Sequence, residues 1–235
     1  NFPGVLAADG EVLQKLDAAQ GRVVDGHAPR LSGKDLNAYI AAGILSDHES
    51  TTRGEAIEKL RRGMYLMIRE GSSEKNLETL LPLVTDNTYK RCFFVVDDRT
   101  CLDLLQDGDM DAIVRKAIRL GMNPVRAIQL ATINTAEYFH LGRVGAVAPG
   151  YVANLIILRD LSRIKIDRVL YKGRLVAQGG QPLFPAPPLR KDNISRTFHV
   201  KPFPIEALAI PASKQKQPII EVIYGQIVTR KIFTR

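Results

Sequence analysis

Val23-Val24-Asp25-Gly26-His27-Ala28-Pro29 is an apolar run that stops at a histidine and gives way to proline, serine and glycine instead of further apolar residues. The pattern predicts a short strand ending in a loop. It recurs three times, in Gly43-Ile44-Leu45-Ser46-Asp47-His48-Glu49, Tyr65-Leu66-Met67-Ile68-Arg69-Glu70-Gly71-Ser72 and Cys92-Phe93-Phe94-Val95-Val96-Asp97-Asp98-Arg99. Each run puts an ionisable or metal-competent group at the C-terminal end of an apolar strand. These groups fall at 27, 48, 70 and 97, steps of 21, 22 and 27 residues, and a strand with its returning helix takes roughly 20 to 30 residues. Short apolar strands alternating with helical periodicity predict an α/β fold, a parallel sheet covered by helices. In such a sheet the strand C-termini share one side, so His27, His48, Glu70 and Asp97 are expected on one face. In a (β/α) barrel that face carries the active site.

Composition agrees with a globular domain: 235 residues, 45% apolar and 25% charged. No run approaches the ~18 apolar residues of a membrane span, and Asn1-Phe2-Pro3-Gly4 lacks the basic and apolar regions of a signal peptide. Cys92 and Cys101 flank the fourth strand without a CxxC spacing and are read as structural thiols of a reducing compartment. The expected location is therefore cytoplasmic. A net charge of +8 raises the question of nucleic acid, but residues 181–235 hold nine Lys or Arg against three acids, so most of the excess sits in that segment. It has no interleaving of aromatic and basic residues, and a solvated basic segment is expected, with no nucleic-acid or membrane partner.

Along the chain, a helix is expected from Asp9-Gly10-Glu11 with Val12, Leu13 and Leu16 on one face, closed by Gly21. After the first strand, Ser32 stands at an N-cap position with Asp35 as its acidic partner and Leu36, Tyr39 and Ile40 as a buried stripe. Glu49 to Thr52 caps a helix carrying Ala56, Ile57 and Leu60, and Leu77, Leu80 and Leu81 mark another before Pro82. Two helices follow the fourth strand. One runs from about Asp109 to Leu120; the other opens with Asn123 as N-cap and Pro124 in its first turn and closes at Gly142. From Gly145 the pattern turns to strands, Val152 to Leu158 and Arg168 to Val176, with a hairpin turn at Lys172-Gly173-Arg174. Four prolines between Pro182 and Pro188 predict an extended linker, and Ile219 to Ile223 is an isolated apolar stretch beyond it. Four βα units are half of an eight-stranded barrel and would leave two parallel edges open, which calls for completion by other chain.

DGHAP, LSGKDLNAYIAAGI, SDHE, MIREGSSEKNL, DDR, NPVRAIQLAT and GAVAPGYVANL together resemble the middle of the bacterial adenine deaminases of the amidohydrolase superfamily. The resemblance runs from Asn1 to about Arg230. It implies that the four strands are strands 5 to 8 of a metal-dependent (β/α)8 barrel occupying 1–144. Residues 145–181 would then be part of a small β-sandwich, and 182–235 a Pro-rich basic linker and the start of a C-terminal domain. It further implies hydrolysis of adenine to hypoxanthine and ammonia in purine salvage, by metal-activated hydroxide at a binuclear site of Mn, Fe or Zn. Carried over position by position, His27 and His48 match the metal-ligand histidines of strands 5 and 6. Asp97 matches the aspartate that binds metal and takes a proton from the attacking water, making Asp97 and His48 the catalytic candidates. Imidazoles with a carboxylate suit a divalent first-row ion, which makes hydroxide available near neutral pH. Glu49, Glu70, Ser72, Asp98 and Arg99 are secondary candidates for touching the purine or orienting ligands.

The chain departs from the family at Arg30, where relatives generally have Gly, at Val96, where they have Thr, and at Asn154, where they have Asp. The first two lie beside the site and bear on its loop or hydrogen bonding; the third is read as structural. It also has no His-x-His pair and no metal-bridging glutamate of the family kind, so the chain alone is expected to be inactive and to need a complementary N-terminal half or a homo-oligomeric partner. Other readings remain open: a non-catalytic truncated product or interaction subunit, or another cyclic-amide amidohydrolase. A lone strand-end histidine is usually a hydrogen-bonded structural residue, and two with an aspartate at a third strand end favour metal. Asp98 could instead cap the next helix, and Arg69 with Glu70 could be a solvated pair. His140 beside a helix C-terminus and His199 in the basic segment are read as structural.

Overall fold

The structure is a computed structural model that describes residues 2–185, 199–210 and 215–233. The chain opens with three helices, α1 (Phe2–Leu6), α2 (Gly10–Ala18) and α3 (Gly33–Ala41). Asp9 starts α2 as expected, its carboxylate accepting the amides of Glu11 at 2.9 Å and Val12 at 3.2 Å. Ser32 occupies the N-cap position of α3 but makes no side-chain cap bond. The first amide of the helix is served from elsewhere in the chain, Gly33 N–H donating to Glu58 Oε1 at 2.9 Å. Leu36 and Tyr39 are buried as the stripe predicts, and with Ala28, Leu31, Ile44 and Met64 they form one of the hydrophobic clusters.

Strand β1 (Ser46–Asp47), helix α4 (Arg53–Arg61), strand β2 (Tyr65–Arg69), helix α5 (Leu77–Leu80) and strand β3 (Cys92–Val95) follow in order. The three strands are parallel, with Ser46 opposite Tyr65, Leu66 opposite Cys92 and Arg69 opposite Val95. Alternation decides where each side chain goes. Leu66, Ile68, Cys92 and Phe94 face Leu77, Leu80, Ile113, Val114, Ala117, Ala127 and Leu130 of the covering helices, while Met67 and Phe93 face Tyr138 on the other side. A fully buried Leu, Ile or Phe contributes about 1.5–3 kcal/mol, so this two-sided burial explains why the strands are apolar throughout.

The expected first strand does not form. Residues 23–28 form no strand and have no backbone ladder, and side chains make the connection to β1. Ala28 N–H donates to Asp47 Oδ1 at 2.8 Å and Ser46 Oγ donates to Asp25 Oδ1 at 2.7 Å. The parallel sheet therefore has three strands among the described residues, one fewer than the pattern predicts.

Beyond β3 lie α6 (Cys101–Gln106), which the sequence reading missed, then α7 (Met110–Arg119), α8 (Pro124–Ala131) and α9 (Ile133–Tyr138). The last expected helix is thus two, divided at Thr132, whose φ of −133° and ψ of −89° are not helical. An antiparallel sheet follows: β4 (Leu155–Asp160), β5 (Lys165–Tyr171), β6 (Arg174–Gln178) and β7 (Gln181–Pro182). Its β5–β6 turn is the anticipated Lys172-Gly173, both with positive φ, 49° and 78°, as tight hairpins favour. Asn154 supports that turn by accepting Lys172 N–H at 3.0 Å, a bond an aspartate would also make. Ile164 joins the cluster beneath α7, so the two sheets share packing. Strands β8 (Pro218–Val222) and β9 (Thr229–Phe233) form a hairpin, and its Gly225 carbonyl accepts Lys75 N–H at 3.0 Å. Pro187 and Pro188 of the anticipated linker lie outside the described residues. Among the described residues no helix is long and apolar enough to cross a membrane.

Candidate metal centre

Gly26 sets the geometry of the site. A Cβ there would lie 2.4 Å from Tyr39 Oη, 2.7 Å from Ile44 and 2.8 Å from the Ser46 carbonyl. Only glycine lets the 23–28 segment run against the start of β1. This close approach brings Asp25 and His27, on either side of Gly26, to the loop that leaves β1 with His48 and Glu49. Tyr39 reinforces the approach, its hydroxyl accepting His27 N–H at 3.1 Å.

The two histidines meet with ring centroids 4.4 Å apart, edge to face. Each has one ring nitrogen held by a carboxylate. His27 Nδ1 donates to Glu49 Oε1 at 2.9 Å and His48 Nδ1 to Asp25 Oδ2 at 3.0 Å. Such pairing fixes the tautomer and leaves Nε2 as the free donor, the arrangement that metal-binding imidazoles generally need. Burial alone would raise the Asp25 carboxyl, but hydrogen bonds from His48, Ser46 and the Gly26 amide outweigh it and hold it below its ordinary value. Burial likewise would lower the His48 imidazole, and the hydrogen bond to Asp25 with the charges of Asp25, Asp97 and Asp47 raises it instead. His27, His48 and Glu49 each offer a donor atom within 4.8 Å of the others, so the donor set fits a divalent first-row ion.

Asp97 stands apart from this group. It follows β3 with a left-handed φ of 54°, pairs with Arg69 and clusters with Glu74 and Asp98. Its charge nevertheless reaches His48. The secondary candidates divide in the same way. Glu49 holds His27. Glu70 accepts Leu77 N–H at 3.1 Å and pairs with Lys116 at 2.5 Å. Ser72 bonds Asp103 and accepts Thr100 N–H at 2.8 Å. Asp98 accepts Ser73 N–H at 2.6 Å, and Arg99 Nε donates to the Gly108 carbonyl at 3.0 Å.

Two readings need correction. Asp98 does not cap the helix after β3. Thr100 does, accepting Asp103 N–H at 3.2 Å, because Ser73 already occupies Asp98. Arg69 and Glu70 are not a solvated pair. Arg69 is 1% exposed and turns to Asp97 and Glu74, while Glu70 turns to Lys116. Successive strand-end residues point to opposite sides, which separates them. Of the three departures, Arg30 has φ 62°, a conformation in which glycine is at ease, and Val96 is partly buried against the helix-covered cluster. The sequence reading also missed Asp25, Glu74 and a buried lysine, Lys59. Asp25 carried a signal, an acid two residues before a strand-end histidine; Lys59 carried none, since one lysine in a charged helix looks solvated.

Residues 8–176 match the profile of the amidohydrolase family. The chain is 63% identical over 232 residues to an adenine deaminase of Dehalococcoides mccartyi, covering 99% of this chain and 41% of that protein. It is 47% identical to adenine deaminase 2 of Carboxydothermus hydrogenoformans with the same coverage. It therefore spans about two-fifths of the length of these curated relatives. Among solved structures, a β-aspartyl dipeptidase of Fervidobacterium islandicum aligns with a TM-score of 0.58 at 17% identity, over 75% of this chain and 54% of that one. The N-acetyl-D-glucosamine-6-phosphate deacetylase of Mycobacterium smegmatis aligns with 0.55 at 18%, over 74% and 52%. These likenesses are of fold. The profile runs from before the first histidine, through the whole parallel sheet, into the third strand of the antiparallel one, and on that extent the chain belongs to the amidohydrolase family.

Proposed function

We propose that this chain is the part of an adenine deaminase that supplies His27, His48 and Asp97 to a metal centre, in an enzyme that hydrolyses adenine to hypoxanthine and ammonia. The observation that carries the reading is the 63% identity to an adenine deaminase along 99% of the chain. The carboxylate-held histidine pair is its chemical counterpart.

In this reading β1, β2 and β3, with the segment that leads to His27, are strands 5 to 8 of a (β/α)8 barrel in 1–144. Residues 145–181 contribute to a β-sandwich, and 182–235 lead toward a further domain. His27 and His48 would hold the metal through the ring nitrogens left free, with Glu49 and Asp25 fixing the rings. A bound divalent ion, Mn with Fe or Zn as alternatives, supplies a hydroxide near neutral pH. Asp97 takes the proton of the attacking water, and Arg69, with which it is ion-paired, steadies its carboxylate. Because the sequence has no His-x-His, residues beyond these 235, in the same polypeptide or a second chain, complete a binuclear site. The setting is cytoplasmic purine salvage, consistent with two cysteines that are both free thiols.

The test is adenine-dependent ammonia release with Mn, measured on the 235-residue chain alone and co-expressed with the portion of the Dehalococcoides relative that it does not cover. Turnover is expected only in the co-expressed pair and is expected to vanish in His27→Ala and His48→Ala. Undiminished turnover in those variants would sink the site assignment. Release of product from a cyclic amide but not from adenine would move the substrate to another amidohydrolase class.

A further inference from the structure

We propose that Lys59 is a positioning residue of the metal centre, a buried joint that sets the separation of the two histidine-bearing loops. The proposal rests on the reading of His27 and His48 as a metal-binding pair, and its test separates the two ideas.

Lys59 lies in α4, two turns beyond the loop that leaves β1, and its side chain is 1% exposed. Its ammonium touches four oxygens. The Ala28 carbonyl is at 2.6 Å, Asp47 Oδ2 at 2.8 Å, Glu55 Oε1 at 2.7 Å and Ser50 Oγ at 3.1 Å. Three protons can serve the three short contacts, while Ser50 donates its own proton to Asp47 Oδ2 at 2.7 Å. A buried lysine is tolerated only when fully paired, so this arrangement has no slack.

The four partners are not scattered. Ala28 adjoins His27, Asp47 adjoins His48, and Ser50 lies two residues beyond it. Asp47 then returns to the first loop, its Oδ1 accepting Ala28 N–H at 2.8 Å. Glu55 also bridges, accepting Arg30 N–H at 2.7 Å from the first loop and Thr51 N–H at 3.1 Å from the second. Residues 23–28 have no strand ladder to β1, so these side-chain bonds replace the backbone pairing that would ordinarily fix one strand end against the next. Without the ammonium, Asp47 and Glu55 become two buried carboxylates lacking a cation, and the loops lose their common reference. The imidazoles 4.4 Å apart depend on that reference although Lys59 touches neither ring.

The chain has four histidines, which makes the test direct. Long-range 1H–15N spectra of the 235-residue chain report the tautomer of each ring, His140 and His199 serve as internal controls, and single histidine variants assign the signals. In Lys59→Met, with native far-UV circular dichroism, the His27 and His48 signals are expected to broaden or show mixed tautomers while the controls stay sharp. Zn(II) affinity by calorimetry is expected to fall tenfold or more. A folded Lys59→Met chain with unchanged His27 and His48 signals overturns the proposal. Should that variant fail to fold, Lys59→Arg keeps the charge but offers a planar fork in place of three divergent protons. The same signals then decide: altered imidazoles support the joint and unchanged ones overturn it. If wild-type chain binds Zn(II) no better than the His27→Ala, His48→Ala double variant, the metal reading fails, and the imidazole spectra still decide the role of Lys59.

Discussion

Cys92 shows how burial on one strand becomes a measurable pH dependence. It lies under the covering helices with no exposure, and burial pushes its thiol up to about 12. In the unfolded chain a thiol ionises near ~8.5. Between those values the folded chain keeps a proton that the unfolded chain has released, so its stabilising contribution is complete below about pH 8.5 and is lost as pH rises toward 12. The expected outcome is a slope of unfolding free energy, from urea titrations at pH 8.5 to 10, that is shallower in Cys92→Ala by about 1 kcal/mol per pH unit. Equal slopes would mean that the thiol is not sealed from solvent. Cys101 is exposed, so one thiol per folded chain should react with maleimide and the second only after unfolding.

Elements were legible where local rules suffice. The helices α2, α4 and α8 begin where a capping side chain precedes an apolar period, at Asp9, Thr52 and Asn123. Runs such as Leu66 to Ile68 and Cys92 to Val95 pointed to a two-sided strand because both faces are covered. Val23-Val24 looked the same but made no strand, since strand formation needs a partner's backbone and that neighbour is reached here by side chains. The histidine pair was legible as strand-end residues, and Asp25 carried a local signal, whereas the Arg69–Asp97 pair and the burial of Lys59 became visible only when distant turns came together. Capping itself can be tested by contrast. Asn123 Oδ1 accepts the amides of Val125 at 2.9 Å and Arg126 at 3.2 Å; Asp109 stands at the corresponding place before α7 and makes no side-chain cap bond. Asn123→Ala is therefore expected to cost about 1 kcal/mol and Asp109→Ala much less, measured by urea midpoint. Similar losses in both would show that the cap bond is not what starts α8.

For the whole molecule, the question is how much of a metal centre 235 residues can hold. The parallel sheet has three strands, and the chain covers 41% of the relatives' length. The close donor group offers two imidazoles and Glu49, and Glu49 is already engaged by His27. Asp97 is engaged by Arg69. A site with two free imidazole nitrogens binds Mn weakly. At a Kd of ~1 mM, 1 mM Mn would add only ~0.4 kcal/mol, a rise in melting temperature of about 1 °C for a chain of this size. Joined to the portion of the Dehalococcoides relative that it does not cover, the same residues should bind in the micromolar range. The gain is then ~4 kcal/mol, about 3 °C for an assembly of which this chain is 41%, and EDTA should reverse it. Scanning calorimetry of both samples with and without Mn decides the matter. A shift of about 10 °C in the chain alone, with stoichiometric metal by elemental analysis, would mean that the ligand set is already complete within these residues. Asp97 would then have left Arg69 for the metal, or Glu49 would have left His27, and the assignment of further ligands to other sequence would fall.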